Sequence, residues 1–274
     1  MKKERMGIET FELENYIVEM IDNPLRLDHS KKTSLLEQCI SVARNGFKNE
    51  NITKSDIETH ALDVKTGIYI RNKKELIGFG GAIIENINGN NILHLKGTAI
   101  LPAHQGKKIY RIITSMRVLR EAEKSNDFYI GSRTQNPRVL EFMTKTLEGW
   151  PRVNEQIPDK IKNIAYHYAN HIQNNHSDFI PEKGIVFNRD LLVVEKAYGF
   201  RDENGIEQGF CMYGNSVPNA KDQRINSHIT SNLNFQNGDA FIILGDFNKE
   251  VYLKSLENIP ELDKDKILFK RFSN

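Results

Sequence analysis

The triplet Asn88-Gly89-Asn90 constrains this chain more than any other feature of its sequence. Asparagine and glycine tolerate the positive φ angles of tight turns, so the triplet folds the apolar runs at 76–85 and 92–101 into a hairpin. Another strand is expected at 67–71, separated from the hairpin by the polar turn 71–75. After residue 101 the run Pro102-Ala103-His104-Gln105-Gly106 breaks the strand. Ile109, Ile112, Ile113, Met116 and Leu119 then recur on one face of a helix from about 107 to 123. A short strand follows at 127–131. Asn136-Pro137 opens the next helix, because asparagine accepts from an orphan amide and proline fits the first turn. That helix buries Val139, Leu140, Phe142, Met143 and Leu147 and ends near Gly149. The order of strand, hairpin, strand, helix, strand and helix predicts an α/β (α+β) fold. Its sheet is mixed, mostly antiparallel, and flanked by helices.

On either side the signal weakens. Residues 1–30 show no clear periodicity beyond a turn at Asn23-Pro24, and Leu35, Leu36, Ile40 and Val42 predict a helix over 34–43. Beyond Trp150 the pattern gives a helix at 157–172 and strands at 184–187, 191–196, 209–213 and 240–245. Turns fall at 202–205 and 237–239. The expectation is one domain over 1–150, with its core at 60–150. A C-terminal α+β lobe over 151–274 would shape an acceptor site or a dimer surface, so a homodimer stays open.

Composition removes several function classes. The chain of 274 residues is 39% hydrophobic and 27% charged, enough apolar material for a core. Its longest apolar runs fall far short of the ~20 residues of a spanning helix. Met1–Phe11 is too polar for the centre of a secretory signal. A soluble cytoplasmic protein, away from membranes, is the expectation. Lys and Arg number 38 against 36 Asp and Glu, a balance that argues against nucleic acid as the main partner. Lys107, Lys108, Arg111 and Arg117 on one helix are the only basic face that would support it. Cys39 and Cys211 are far apart and read as small core residues. His167 and His171 are four apart with His176 beyond, but the stretch between them lacks the glutamate of H-E-x-x-H, so no metal is expected. Lys270-Arg271 reads as part of a solvated tail.

The informative stretch is Thr98–Tyr110, T-A-I-L-P-A-H-Q-G-K-K-I-Y. Here a strand runs through a short turn straight into a helix. The first amides of that helix have no internal partner, and its dipole adds partial positive charge at the same end. Lys107 and Lys108 add two full charges. These residues alone leave two readings open: a phosphate-type anion site, or an ordinary strand–helix junction.

The segment resembles the coenzyme A loop of GNAT acetyltransferases, Q/R-x-x-G-x-G/A, written here as Gln105-Gly106-Lys107-Lys108-Ile109-Tyr110. Lys108 stands at the first motif glycine and Tyr110 at the small last residue. If the Lys108 backbone stays helical, its amide contact is kept and its side chain reaches a phosphate. A second stretch, Gly131-Ser132-Arg133-Thr134-Gln135-Asn136-Pro137-Arg138 and the residues to Phe142, is similar to the late strand–helix unit of the same superfamily. Asn136, Val139 and Phe142 fill three positions of its N-x-x-A-x-x-F/L-Y pattern. Met143 stands where many members carry a tyrosine that protonates the leaving thiolate.

The resemblance covers about a third of the chain. It implies an N-acyltransferase moving an acyl group from acetyl-CoA or another acyl-CoA to an amine, on a small molecule or a peptide, by direct attack on the thioester. An acyl carrier protein is a further conceivable donor. Thr98 and Ile100 would offer backbone groups to the pantetheine. Gln105, Gly106, Lys107, Lys108, Ile109, Tyr110 and Asn136 would hold the coenzyme. His94, on the same strand and the same face as Ile100 by period two, falls at a position for the general base, with a hydrogen-bonded sheet histidine as the competing reading. Arg133 and Gln135, at the carboxyl end of the late strand, would contact the acceptor or hold their loop. The rival to an enzyme is a degenerate module that binds coenzyme A or a metabolite without turnover, for which Lys108 and Met143 both speak.

Overall fold

The computed structural model describes residues 7–256 apart from 14, 51, 178 and 215. Lys270-Arg271 lies outside the described residues. In chain order the elements begin with β1 (Ile8–Leu13), β2 (Tyr16–Asp22), α1 (His29–Phe47) and α2 (Lys54–Ile57). A π-helical turn at Glu58–Leu62 leads into β3 (Thr66–Asn72), β4 (Glu75–Ile87), β5 (Asn90–Ile100) and α3 (Ile109–Ala122). Then come β6 (Tyr129–Thr134), α4 (Pro137–Thr146), α5 (Asp159–Asn175), β7 (Phe187–Asn188) and β8 (Val193–Val194). The chain closes with β9 (Gly199–Arg201), β10 (Glu207–Gly209), α6 (Gln223–Asn232), β11 (Ala240–Asp246) and α7 (Lys249–Leu256). Among the described residues two compact units result, one within 7–84, 93–126 and 249–256, the other within 85–92 and 127–248.

In the first unit β1, β2, β3 and β4 are antiparallel neighbours, with Phe11 opposite Val18, Val18 opposite Ile70 and Ile68 opposite Gly80. β5 follows β4 through the predicted turn, where Asn88 and Gly89 take φ of 49° and 82°. Two positive φ values in succession are what a tight hairpin turn needs. β1 and β2 were not foreseen. In β1 the residues are alternately exposed and half-buried, with Glu9 and Glu12 among them. Such a charged edge strand carries little apolar signal. The helix expected at 34–43 runs longer, from the cap of Asp28, which accepts from the Lys31 amide at 3.0 Å, to Lys48 in a left-handed conformation. Its buried face, Leu35, Leu36, Cys39, Val42 and Ala43, packs with Tyr69, Phe79 and Ala99 of the sheet.

α3 departs from the amphipathic expectation. Beyond its isoleucine face it also buries Thr114, Ser115, Arg117, Val118 and Glu121. α7, which the sequence did not announce, belongs to the same unit and supplies part of the cover. Its Tyr252 is buried.

In the second unit β6, β11, β8 and β7 are antiparallel neighbours, with Gly131 opposite Leu244 and Phe241 opposite Val193. α5 packs Ile161, Ile164, Ala165, Tyr168 and Ile172 against Ile242 and Leu244 of β11. The helix at 157–172, the strand at 240–245 and the turns at 202–205 and 237–239 are present. The strand expected at 191–196 shrinks to two residues because Leu192 and Lys196 take positive φ, which ends the extended backbone. The one at 184–187 is likewise short, and 209–213 is mostly turn, with Gly214 donating to the Cys211 carbonyl.

Candidate functional site

The first unit holds the predicted loop. From β5 the chain passes a short 3-10 turn at Pro102–His104, and Tyr16 meets the His104 ring edge-on at 5.9 Å. Gln105 closes the turn as a staple: its Nε2 donates to the carbonyls of Ile100 at 3.0 Å and Gly46 at 3.2 Å. Gly106 then takes φ 78°, and Lys108 takes φ 62° and ψ 6° immediately before α3. The expectation that Lys108 stays helical is therefore corrected. α3 begins at Ile109, and Lys108 adopts the left-handed turn that a glycine takes without strain. No side chain caps the helix, and the Lys108 carbonyl accepts the amides of Arg111 and Ile112. Gly106 and Lys107 are exposed, Lys108 is half-buried, and Ile109 is buried as the first anchor of α3. Tyr110 is half-buried, with burial raising its phenol pKa against the Arg117 charge and a bond to Thr114.

β5 carries the second part of the site. Thr98 and Ile100 face α3: Thr98 Oγ1 and the Ile100 side chain lie over the bare faces of Gly80 and Gly78, where Ile113 and Ile109 of α3 also arrive. Strict alternation fails just before Thr98. Lys96 Nζ reaches the carbonyls of Thr59 (3.1 Å) and Asp63 (2.9 Å), and the adjacent Gly97 also faces His60 of the π-helical turn. Two successive residues thus bear on one element, as at a bulge. Counting by twos from Ile100 back to His94 runs through this break, so period two does not give His94 the face of Thr98. His94 itself is 6% exposed.

Sequence reasoning missed Arg117, Lys96 and His60 as parts of the site. Arg117 is 1% exposed, and it donates to the carbonyls of Gly81 (2.8 Å) and Lys96 (3.1 Å) and to Thr114 Oγ1 (3.0 Å). Burial lowers its pKa to about 10, opposed by the phenols of Tyr110 and Tyr252, so it stays charged at neutral pH. From α3 it clamps β4 to β5 at the break in alternation. In sequence Arg117 read as part of a basic helix face with Lys107, Lys108 and Arg111, a reading its burial corrects, since a side chain inside the unit is not on that face. His60 gave no signal, since a lone histidine in a polar stretch is unremarkable.

The second unit holds the other predicted stretch. Asn136 caps α4 as expected, accepting from the Arg138 amide at 2.9 Å. Its Nδ2 also donates to the Tyr213 hydroxyl at 3.0 Å. Gln135 is buried, donating to the Asp239 carbonyl and accepting from the Met212 amide, both at 2.9 Å. Both ends of that amide therefore hold the chain together. Arg133 is half-buried. Its Nη1 donates to Gln173 Oε1 at 2.8 Å, and its guanidinium lies 4.7 Å from the Tyr198 ring centre. Met143 is fully buried in α4.

No family model matches the sequence, and no curated protein matches it. Among solved structures the likeness is to GNAT acetyltransferases. An aminoglycoside acetyltransferase from an uncultured soil metagenomic sample, in complex with trehalose, aligns over 53% of this chain and 93% of its own at 12% identity and a TM-score of 0.39. Aminoglycoside N-acetyltransferase AAC(6')-Iy in complex with CoA aligns over 58% of this chain and 97% of its own, at 12% identity and a TM-score of 0.36. A GNAT family acetyltransferase from Brucella melitensis in complex with acetyl-CoA aligns over 47% and 75%, at 12% identity and 0.31. At these scores the likeness is partial, and a functional reading has to come from the chain's own residues. No helix among the described residues is long and apolar enough to cross a membrane.

Proposed function

We propose that this protein is a coenzyme A-dependent N-acyltransferase acting on an amine acceptor. The observation that carries the reading is the junction of β5 and α3. Gly106 and Lys108 both sit at positive φ, the following helix has no side-chain cap, and Lys107 and Lys108 stand at its mouth. Together with the Gln105 staple this is a turn shaped for the pyrophosphate of an acyl-CoA. Gly106, Lys107, Lys108, Ile109 and Tyr110 would contact the phosphates, and the backbone at Thr98 and Ile100 the pantetheine. Acetyl-CoA is the first donor to test, followed by longer acyl-CoAs and an acyl carrier protein.

The reaction is direct transfer: the acceptor amine attacks the thioester carbonyl, loses its proton to a base, and the thiolate leaves. His94 on β5 is the proposed base. Its removal should lower kcat about 10²-fold or more, the usual contribution of general base catalysis. Replacing His60 should have less effect. Met143, buried and apolar, offers no proton to the thiolate. Arg133 would orient an acceptor. A thiol-release assay over a panel of small amines and amino-terminal peptides tests the reading. Acceptor-dependent release, depressed in His94→Gln, supports it. Binding of acetyl-CoA with no acceptor-dependent release would favour the module without turnover, to which the buried Met143 lends weight.

A further inference from the structure

Two imidazoles and a carboxylate meet in the second unit. His171 lies in the last turns of α5, and His176 follows at its end. Glu85 comes from the hairpin-tip part of β4. His176 Nε2 lies 2.6 Å from Glu85 Oε2, and His171 Nε2 lies 3.2 Å from the same oxygen. Two ring nitrogens therefore converge on one carboxylate oxygen. The His171 Nε2 is closed to solvent and has no hydrogen-bond partner.

We propose that Glu85, His171 and His176 form a binding site for a divalent transition-metal ion of the zinc class. The donor set of two imidazole nitrogens and one carboxylate oxygen suits zinc and its neighbours, not the all-oxygen preference of calcium or magnesium. A tetrahedral ion with bonds of about 2.0–2.1 Å sets neighbouring ligand atoms about 3.3 Å apart. The His171 pair already has that spacing, and the His176 pair needs to open by only about 0.7 Å. Two imidazoles on one such ion put their ring centres about 5 Å apart, and here they are 5.5 Å apart. Asn175, whose Nδ2 lies 3.2 Å from His171 Nδ1, would turn its amide to accept from that nitrogen and fix the ligating tautomer. The sequence failed to show this site because the carboxylate that α5 lacks at H-x-x-x-H spacing arrives from a strand some 85 residues earlier. The ion would pin the hairpin tip to the end of α5.

The test uses the full chain, stripped with chelator and titrated calorimetrically with zinc, with cobalt(II) absorption as a coordination readout. The expected result is one equivalent of zinc bound, with cobalt giving the intense visible bands of a four-coordinate site. Saturating zinc at about a hundredfold over its Kd should raise Tm by about 5 °C or more. Glu85→Gln, His171→Asn and His176→Asn should each weaken binding at least tenfold, whereas His167→Gln on the same helix should not. Zinc bound no more tightly than by the triple variant, or loss of binding in His167→Gln to the same extent, would overturn the proposal. Should a variant unfold, the stoichiometry and cobalt spectrum of the unaltered chain decide on their own: no equivalent bound and no four-coordinate bands would refute it.

Discussion

Replacing Lys108 by glycine should make this protein more stable. Lys108 holds φ 62° and ψ 6° at the entrance to α3. A residue with a Cβ in that region costs about 1–2 kcal/mol, because the Cβ crowds the following carbonyl. Glycine escapes that penalty but loses about 0.5–1 kcal/mol more chain entropy on folding. The difference leaves Lys108→Gly more stable by about 0.5–1 kcal/mol. At about 2–4 °C per kcal/mol for chains of 150–250 residues, that is a rise in Tm of about 1–4 °C. Lys108→Ala, which keeps a Cβ, should show no such gain. The same pair of variants separates backbone from charge in ligand binding. Lys108→Gly keeps the turn and its amides, so coenzyme A affinity should fall only by the share owed to one ammonium. Lys108→Glu should lose far more. Urea unfolding followed by circular dichroism gives the stabilities, and titration calorimetry gives the affinities. A Lys108→Gly protein less stable than its parent by about 0.5 kcal/mol or more would refute the reasoning, whose magnitude rests on strain at this turn.

Three further outcomes follow from the packing. Gly131→Ala should destabilise by about 1–3 kcal/mol, the cost of overpacking, since its Cβ would lie 2.5 Å from the buried Tyr168 ring. In a double-mutant cycle the penalty should largely vanish on a Tyr168→Leu background, and an undiminished penalty would contradict this cause. Arg117→Met should cost about 3 kcal/mol or more in urea unfolding, as two buried carbonyls and Thr114 lose their donor; a loss below about 1 kcal/mol would show that water replaces it. Burial raises the thiol pKa of both Cys39 and Cys211, most strongly that of Cys39. Both should resist a disulfide reagent at pH 8 until denaturant is added, whereas rapid labelling of either would place it at the surface.

The stretch from β3 to α4 was legible because its signals are local. Asn88-Gly89 shows the turn conformation its composition demands, and Asn136-Pro137 caps α4 through the bond that its side chain is built to make. β1 escaped because an edge strand with Glu9 and Glu12 among its six residues has little apolar stripe to read. α6 had a legible start, since Asp222 caps it and Ile225 and Ile229 follow at helical spacing, but no functional pattern drew the eye there. The site was legible as a loop and illegible as a network. Arg117, Lys96 and His60 are brought to bear on β4 and β5 by contacts across long separations, and Gly81 and Gly97 look like any strand glycines until the π-helical turn is seen against them. Lys108 shows the limit in the other direction. Its departure from glycine was visible in sequence, but the positive φ that makes the departure costly belongs to the fold.

The measurement that tests the central claim most directly is calorimetric titration of the purified chain with acetyl-CoA and free coenzyme A, beside Lys108→Glu. The account predicts binding in the micromolar range, one site per chain, weakened at least tenfold when Lys108 carries a negative charge. Absence of binding to either ligand, or binding indifferent to the charge reversal, would contradict the assignment of the β5–α3 turn as a coenzyme site.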